Sequence, residues 1–207
     1  MIAANRDERY DRRSSFPKIV EDENSKFIAP FDDEKGGTWL GVAEKGWFVG
    51  LTNQDDDTHH EDKLSRGKVV LDCLRAGTHS EAARVLSKIE PSHYNPFNLV
   101  LGRPGAMFLV RIMNDQPIEM EQIHDGIVVV SNDCWNNKYD IKLQRASTLS
   151  AMYLADSESV DELVKNLHVV LSDHSTAQKD DPFQALCVHS PEHNFGTLST
   201  SIIAVSN

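Results

Sequence analysis

The chain has 207 residues, of which 40% are hydrophobic and 26% charged, values typical of a globular protein with one well-filled core. Its formal net charge of −11 argues against nucleic acid or an anionic membrane surface as a partner, because both would repel it. No apolar run approaches the roughly 18 residues needed to span a bilayer, and no signal-peptide pattern follows Met1.

The first half of the chain predicts strands and turns. Residues 10–35 are polar and irregular, and Gly36-Gly37 indicate a turn because paired glycines favour positive φ. Residues 43–46 predict a hairpin turn, and residues 54–62 an acidic loop. Short strands are predicted at Lys26–Ala29, Trp39–Val42 and Trp47–Thr52.

Two pairs of helices follow, each pair succeeded by further strands. Ser65 and Gly77 are suited to begin and end the first helix. Apolar residues recur at helical spacing at 66–75, 80–89, 140–155 and 159–172. Apolar or β-branched runs predict strands at Phe97–Leu101, Met107–Met113, Gly126–Val130, Ala185–His189 and Ser199–Val205.

This order of strands, helix pair, strands, helix pair and strands predicts an α+β fold with antiparallel sheets. Several strands are apolar on both sides, which indicates that both faces of a sheet are covered. Two packed sheets with a helix pair outside each would satisfy both conditions. Because the sequence contains no repeat and no linker, we predict a single domain over residues 1–207.

Seven short blocks carry a family resemblance that extends over nearly the whole chain. The blocks are AANRDE (3–8), GGTWLG (36–41), LTN (51–53), SRG (65–67), YNPFNLVLG (94–102), VSN (130–132) and FGTLSTSII (195–203). In identity, order and spacing they resemble the NRDE family, also called the transport-and-Golgi-organisation protein 2 family. The resemblance implies kinship with the N-terminal-nucleophile hydrolases, near the penicillin V acylases and bile-salt hydrolases, and a four-layer αββα sandwich.

The resemblance also implies a particular chemistry. Family members begin with Met-Cys and an apolar strand, and removal of Met leaves a terminal Cys beside its own base, an α-amino group with a pKa of about 7.7–8.0. Here only three residues separate Met1 from Asn5, and position 2 is not Cys. We therefore expect a domain that is incomplete at both ends, lacks its nucleophile, and is inactive and less stable as given.

The resemblance assigns catalytic roles to Asn5, Arg6, Asp7, Glu8 and Asn132. In the tetrad, Arg6 and a carboxylate would orient the nucleophile and hold its amine; the alternative is a buried Arg–carboxylate pair that fixes a turn after the first strand. Asn132 resembles the acylase asparagine whose amide helps to hold the oxyanion, with a strand-end cap as the alternative.

The resemblance assigns substrate binding to Thr38, Trp39, Asn53 and Trp135. For Asn53, an Asx-turn into the acidic loop is an equal alternative. Trp135 corresponds to a family Pro-Trp only in an uncertain register. Leu198 stands where family members often carry Arg, and this departure weighs against amidase activity.

No metal and no cofactor is predicted. His59-His60 are adjacent on an acidic loop, where a solvated surface is the simpler interpretation. His189 and His193 are predicted at the surface or at a strand end, and Cys187 in the core. The odd number of cysteines, Cys73, Cys134 and Cys187, and their long spacings favour a reducing compartment, so we predict a cytoplasmic protein.

Three functional hypotheses follow. The first is an enzyme that hydrolyses a small-molecule amide, ester or thioester through an N-terminal Cys. The second is a non-catalytic binding or carrier protein for haem or for lipid and acyl-CoA, as the family's association with haem trafficking and lipid handling implies; no CxxCH motif predicts covalent haem. The third is a truncated domain without activity. The oligomeric state is not predicted.

Overall fold

The computed structural model describes residues 1–54, 60–114, 116–124, 126–132, 137, 139–176 and 181–205. Within these ranges the strands are β1 (Ile2–Arg9), β2 (Ser14–Glu21), β3 (Lys26–Asp32), β4 (Leu40–Ala43), β5 (Trp47–Asn53), β6 (Phe97–Arg103), β7 (Ala106–Ile112), β8 (Glu119–Ile123), β9 (His189–Ser190) and β10 (Phe195–Ile203). The helices are α1 (Arg66–Ala76), α2 (His79–Leu86), α3 (Ile141–Leu154) and α4 (Val160–Leu171). None of these helices combines the length and apolar character needed to cross a membrane.

The chain divides into two compact units, which are described separately. The central unit contains residues 13–125, and the terminal unit contains residues 1–12 and 126–206. The prediction of one domain over residues 1–207 stays a prediction, because compactness alone does not show whether the units fold independently.

The central unit is a seven-stranded antiparallel sheet in which β2 to β8 are neighbours in chain order. Helix α1 packs against β3, β4 and β5, and α2 packs against α1. Alternate residues of β6, Phe97, Leu99 and Leu101, are buried in the hydrophobic core, as are Val70 and Leu74 of α1. Residues two apart in the strand and residues four apart in the helix therefore pack into the same core.

Gly37 of the GGTWLG block and Gly67 of the SRG block lie where two backbone segments approach each other closely. A Cβ on Gly37 would lie 2.7 Å from the carbonyl carbon of Gly67, and a Cβ on Gly67 would lie 2.9 Å from the carbonyl oxygen of Thr38. The Thr38 amide donates to the Gly67 carbonyl at 3.2 Å. The GGTWLG turn is thereby held against the first turn of α1, where only glycine fits.

The terminal unit has a smaller antiparallel sheet in the order β1-β10-β9. Helices α3 and α4 pack against each other, and α4 contacts β1 and β10. Its core includes Ala146, Val170 and Leu186. Asp140 caps α3 by accepting from the amides of Lys142 at 2.8 Å and Leu143 at 3.1 Å.

The predicted helices are confirmed to within a few residues, but four strand predictions need correction. Residues 14–21, predicted as irregular, form β2, and polar residues 119–123 form β8. Both strands lie at the edges of the sheet, where side chains are largely exposed and no alternation of apolar and polar residues is required. Phe16 of β2, for example, is 92% exposed. Residues 126–130 form no strand, and of residues 185–189 only His189 pairs. An apolar run in the sequence is therefore not sufficient for a strand.

The position of the tetrad is a further correction. Asn5, Arg6, Asp7 and Glu8 lie inside β1 and not in a turn after it, because Ile2 to Arg9 pair with β10 along their whole length. The α+β class with antiparallel sheets is confirmed: each unit contains one such sheet and one helix pair.

Candidate functional site

The tetrad presents its four side chains on two faces of β1. Successive residues of a strand point to opposite sides, so Asn5 and Asp7 share one face and Arg6 and Glu8 share the other. The pairing with β10 shifts between Arg6 and Asp7, which face Ser199 and Thr197, so that Leu198 is the extra residue of a β-bulge. Bulges re-aim side chains and are frequent beside active sites.

Asn5 is tied to three other segments of the terminal unit. Its Nδ2 donates to the carbonyls of Leu171 and Leu186, each at 2.8 Å, and its Oδ1 accepts from the hydroxyl of Thr200 at 2.7 Å. Both amide hydrogens are thus used by the protein itself. This arrangement joins β1 to the end of α4, to the segment before β9 and to β10.

Asp7 is held from two sides on the same face. Its Oδ1 accepts from the hydroxyl of Thr197 at 2.6 Å, and its Oδ2 lies 3.3 Å from Nζ of Lys142 on α3. The Thr197 hydroxyl in turn accepts from the amide of Val188 at 2.8 Å. Asp7 therefore belongs to a chain of hydrogen bonds that links β1, β10 and the segment before β9.

The opposite face of β1 carries a cluster of charged side chains. Arg6 Nη2 lies 4.0 Å from Glu8 Oε2, and the same oxygen lies 2.9 Å from Nη1 of Arg12. The Arg6 side chain is only 7% exposed. Burial of a guanidinium is costly unless it is paired, so the pairing predicted as the alternative role of the tetrad exists, within a strand and not at a turn.

Asn132 lies in the terminal unit with an exposed side chain, after a segment that is not a strand. The preceding Ser131 hydroxyl donates to Oδ2 of Asp140, the residue that caps α3. The same helix carries Lys142, the partner of Asp7. The strand-end cap proposed as the alternative role of Asn132 is therefore wrong, since no strand precedes it.

The predicted substrate-binding residues that the structure describes belong to the central unit. Thr38 is buried and its hydroxyl donates to the carbonyl of Leu40 at 2.9 Å, which supports the turn. Trp39 is half-buried, and its carbonyl accepts from the Leu51 amide at 2.8 Å. Asn53 ends β5 with an exposed side chain. Trp135 lies outside the described residues.

Sequence reasoning missed two polar networks in the YNPFNLVLG block. Asn95 clamps the backbone of His60, accepting from its amide at 2.9 Å and donating to its carbonyl at 2.8 Å. Asn98 is fully buried, accepts from Gln54 and donates to the hydroxyl of Thr52. For Asn98, an asparagine in a strand that is otherwise apolar was the available signal.

A group of possible metal ligands was also missed. His174, Cys187 and His189 place one ligand atom each within 4.8 Å of the others. Cys187, predicted in the core, is half-buried, and both histidines are exposed. The Cys-x-His spacing was the signal for this group.

Comparison with known proteins identifies relatives of the whole chain. A family model described as Transport and Golgi organisation 2 matches residues 1–207. The chain is 26% identical to the Transport and Golgi organization protein 2 homolog of Bos taurus over 231 residues, covering 99% of this chain and 81% of the bovine protein. It is 33% identical to the Mus musculus homolog over 103 residues, covering 48% of this chain but only 37% of the mouse protein.

Among solved structures, the fold is similar to a Caenorhabditis elegans N-acylethanolamine-hydrolyzing acid amidase ortholog. The TM-score is 0.64 at 12% sequence identity, and the match covers 98% of this chain and 94% of that chain. At this identity the likeness shows the fold alone. The predicted α+β fold class, confirmed above, is thus found in a solved structure of similar fold.

Proposed function

The chain belongs to the Transport and Golgi organisation 2 family, and we propose that it is a hydrolase-type domain that cleaves a small-molecule amide or ester with an N-terminal Cys placed upstream of β1. The observation that carries the proposal is the anchoring of β1 in a fold shared with an amidase. Three hydrogen bonds of Asn5 and two contacts of Asp7 hold this strand in place.

An anchored strand would position whatever precedes it. The thiol of a terminal Cys would pass its proton to the α-amino group and attack the carbonyl carbon as the thiolate. The proton would then go to the leaving amine or alcohol, and water would hydrolyse the acyl-enzyme to release the acid and regenerate the thiol. In this scheme Asn5 and Asp7 are positioning residues. Arg6 orients the nucleophile, the Glu8 carboxylate holds the terminal amine, and the exposed Asn132 amide donates to the oxyanion.

Cys73 is unsuited to replace such a nucleophile. It is fully buried, and desolvation, with a smaller contribution from Asp72, raises the pKa of its thiol to about 12. Almost none of it is thiolate near neutral pH, and the thiolate is the reactive form.

The decisive experiment begins with the natural gene. The protein is expressed with all codons in frame upstream of Met1, its N-terminal residue is determined by mass spectrometry, and N-acyl amides, esters and thioesters are tested as substrates. We expect a terminal Cys, hydrolysis of at least one class, and loss of activity when that Cys is replaced by Ala. Absence of an upstream Met-Cys pair, or activity that survives the replacement, would refute the proposal.

The competing hypothesis is a carrier for haem or for lipid and acyl-CoA. The groove beside α3, lined by residues that include Ile141, Arg145 and Leu149, has a volume of about 280 Å³. This groove by itself is below the range of roughly 300–1,000 Å³ usual for ligand pockets and is too small to enclose such a cargo. Saturable binding of haem or acyl-CoA without any hydrolysis would decide for the carrier.

A further inference from the structure

We propose that His174, Cys187 and His189 form a binding site for a zinc ion in the terminal unit. This site lies outside the tetrad and does not depend on the proposed hydrolase activity. One imidazole nitrogen from each histidine and the Sγ of Cys187 lie within 4.8 Å of one another. In a tetrahedral zinc site, bond lengths of 2.0–2.3 Å imply separations of about 3.3–3.6 Å between ligand atoms. The largest separation would therefore have to shorten by at most about 1.5 Å on metal binding.

The backbone holds the two ligand-bearing segments side by side. The Cys187 amide donates to the carbonyl of Asp173 at 2.9 Å. The intervening Val188 is 1% exposed and exchanges two hydrogen bonds with Thr197, each at 2.8 Å. Val188 is thereby buried and anchored, which holds the flanking Cys187 and His189 on either side of a fixed residue.

The first histidine has a hydrogen-bond partner of the kind that metal-bound histidines often have. His174 Nδ1 lies 3.1 Å from the carbonyl oxygen of Cys187. When Nδ1 carries the proton and donates to this carbonyl, Nε2 presents its lone pair to a metal, and a second hydrogen bond of this kind accompanies most metal-bound imidazoles. The preceding residue, Asp173, is fixed by a bidentate contact with Arg145 and by the hydroxyl of Ser175.

The ligand set selects the kind of metal. Two imidazoles and one thiolate suit Zn²⁺ and its spectroscopic substitute Co²⁺, whereas Mg²⁺ and Ca²⁺ require oxygen ligands. Binding replaces the thiol proton of Cys187 by the metal and releases that proton to solvent. Three protein ligands leave one coordination position, and the exposure of both histidines makes it accessible to water or to a small anion.

The site is tested by titrating the 207-residue chain with Co²⁺ and recording the absorption spectrum. We expect saturation at one equivalent, visible d–d bands of tetrahedral Co²⁺, and a thiolate-to-cobalt charge-transfer band in the near ultraviolet that Zn²⁺ abolishes by displacement. Cys187→Ser should remove the charge-transfer band, and His174→Gln or His189→Gln should weaken binding at least about tenfold. His168→Gln, a change at an exposed histidine of α4, is the matched control and should bind as the unmodified chain does.

A second measurement needs no variant. Iodoacetamide labelling of Cys187, followed by peptide mass spectrometry, should slow at least tenfold when one equivalent of Zn²⁺ is added, because a coordinated thiolate is protected. Buried Cys73 serves as the internal reference and should label slowly in both samples. An unchanged labelling rate at Cys187, or a charge-transfer band that survives in Cys187→Ser, would overturn the proposal.

Discussion

At the scale of single residues, the tetrad combines anchoring with charge pairing. Asn5 uses its whole amide to join three segments, whereas Asn132, assigned by resemblance to the same site, exposes its side chain. Two asparagines that resemble family site residues equally well are thus expected to differ in what they contribute to stability.

Asn5→Ala should lower the free energy of unfolding by about 2–3 kcal/mol, since three hydrogen bonds worth roughly 1 kcal/mol each are lost and two carbonyls lose their donor. Urea denaturation followed by circular dichroism measures this loss. Asn132→Ala is the matched control and should change stability by less than about 0.5 kcal/mol. If both variants unfold at the urea concentration of the unmodified chain, Asn5 is not an anchor.

The contribution of Asp173 to folding stability is expected to depend on pH. The hydrogen bonds from Arg145 lower the pKa of this carboxyl, the Ser175 hydroxyl lowers it further, and burial opposes both. Because the folded pKa lies below the unfolded value of about 3.9, the contribution is present above that value and is lost as the pH falls through the folded pKa.

Asp173→Asn should therefore cost about 1 kcal/mol at pH 7, a value reduced for the partial exposure of Arg145, and progressively less as the pH is lowered below 4. Urea denaturation at a series of pH values checks both the size and the sign. Asp156→Asn, at an exposed turn, is the control and should have little effect at pH 7. A cost that grows toward low pH would contradict the assignment.

At the scale of elements, hydrogen bonding at sheet edges and close backbone contacts produce strands and turns that the apolar periodicity of the sequence does not predict. Edge strands β2 and β8 are largely exposed, so hydrogen bonding to one neighbour maintains them without an apolar pattern. Pro17 lies where the pairing of β2 with β3 shifts, a position at which its missing N–H does not interrupt the ladder. Leu198 lies in the middle strand of its sheet, but as the extra residue of the bulge it is exposed.

Gly67→Ala should destabilise the protein by about 2 kcal/mol, although replacing glycine in a helix ordinarily stabilises by up to about 1 kcal/mol. The added Cβ would lie 2.9 Å from the Thr38 carbonyl oxygen and 3.0 Å from its amide nitrogen. Thermal or urea unfolding gives the sign directly. Lys68→Ala, at the adjacent exposed position of α1, should change stability by no more than about 0.5 kcal/mol. A gain in stability for Gly67→Ala would mean that the close approach is not required.

At the scale of the whole molecule, charge governs solution behaviour. The net charge of −11 and the sequence pI near 5.2 predict minimal solubility near pH 5.2, where mutual repulsion vanishes. Light scattering across pH 4.5–8 at low salt should show one maximum near that value. No retention on immobilised DNA is expected at pH 7.5 and physiological salt. Aggregation that is greatest at pH 8 would contradict the charge argument.

The sequence by itself determined the family, the four helices, the central strands and the α+β class, because local periodicity and the seven blocks are sufficient for these. Only the tertiary structure decided that the tetrad is a strand with hydrogen-bonded anchors on one face and paired charges on the other. It also explained Gly37 and Gly67 by their mutual approach, and brought His174 beside Cys187 and His189. These features depend on contacts between residues distant along the chain, and the spacing of residues in a sequence carries no measure of such distances.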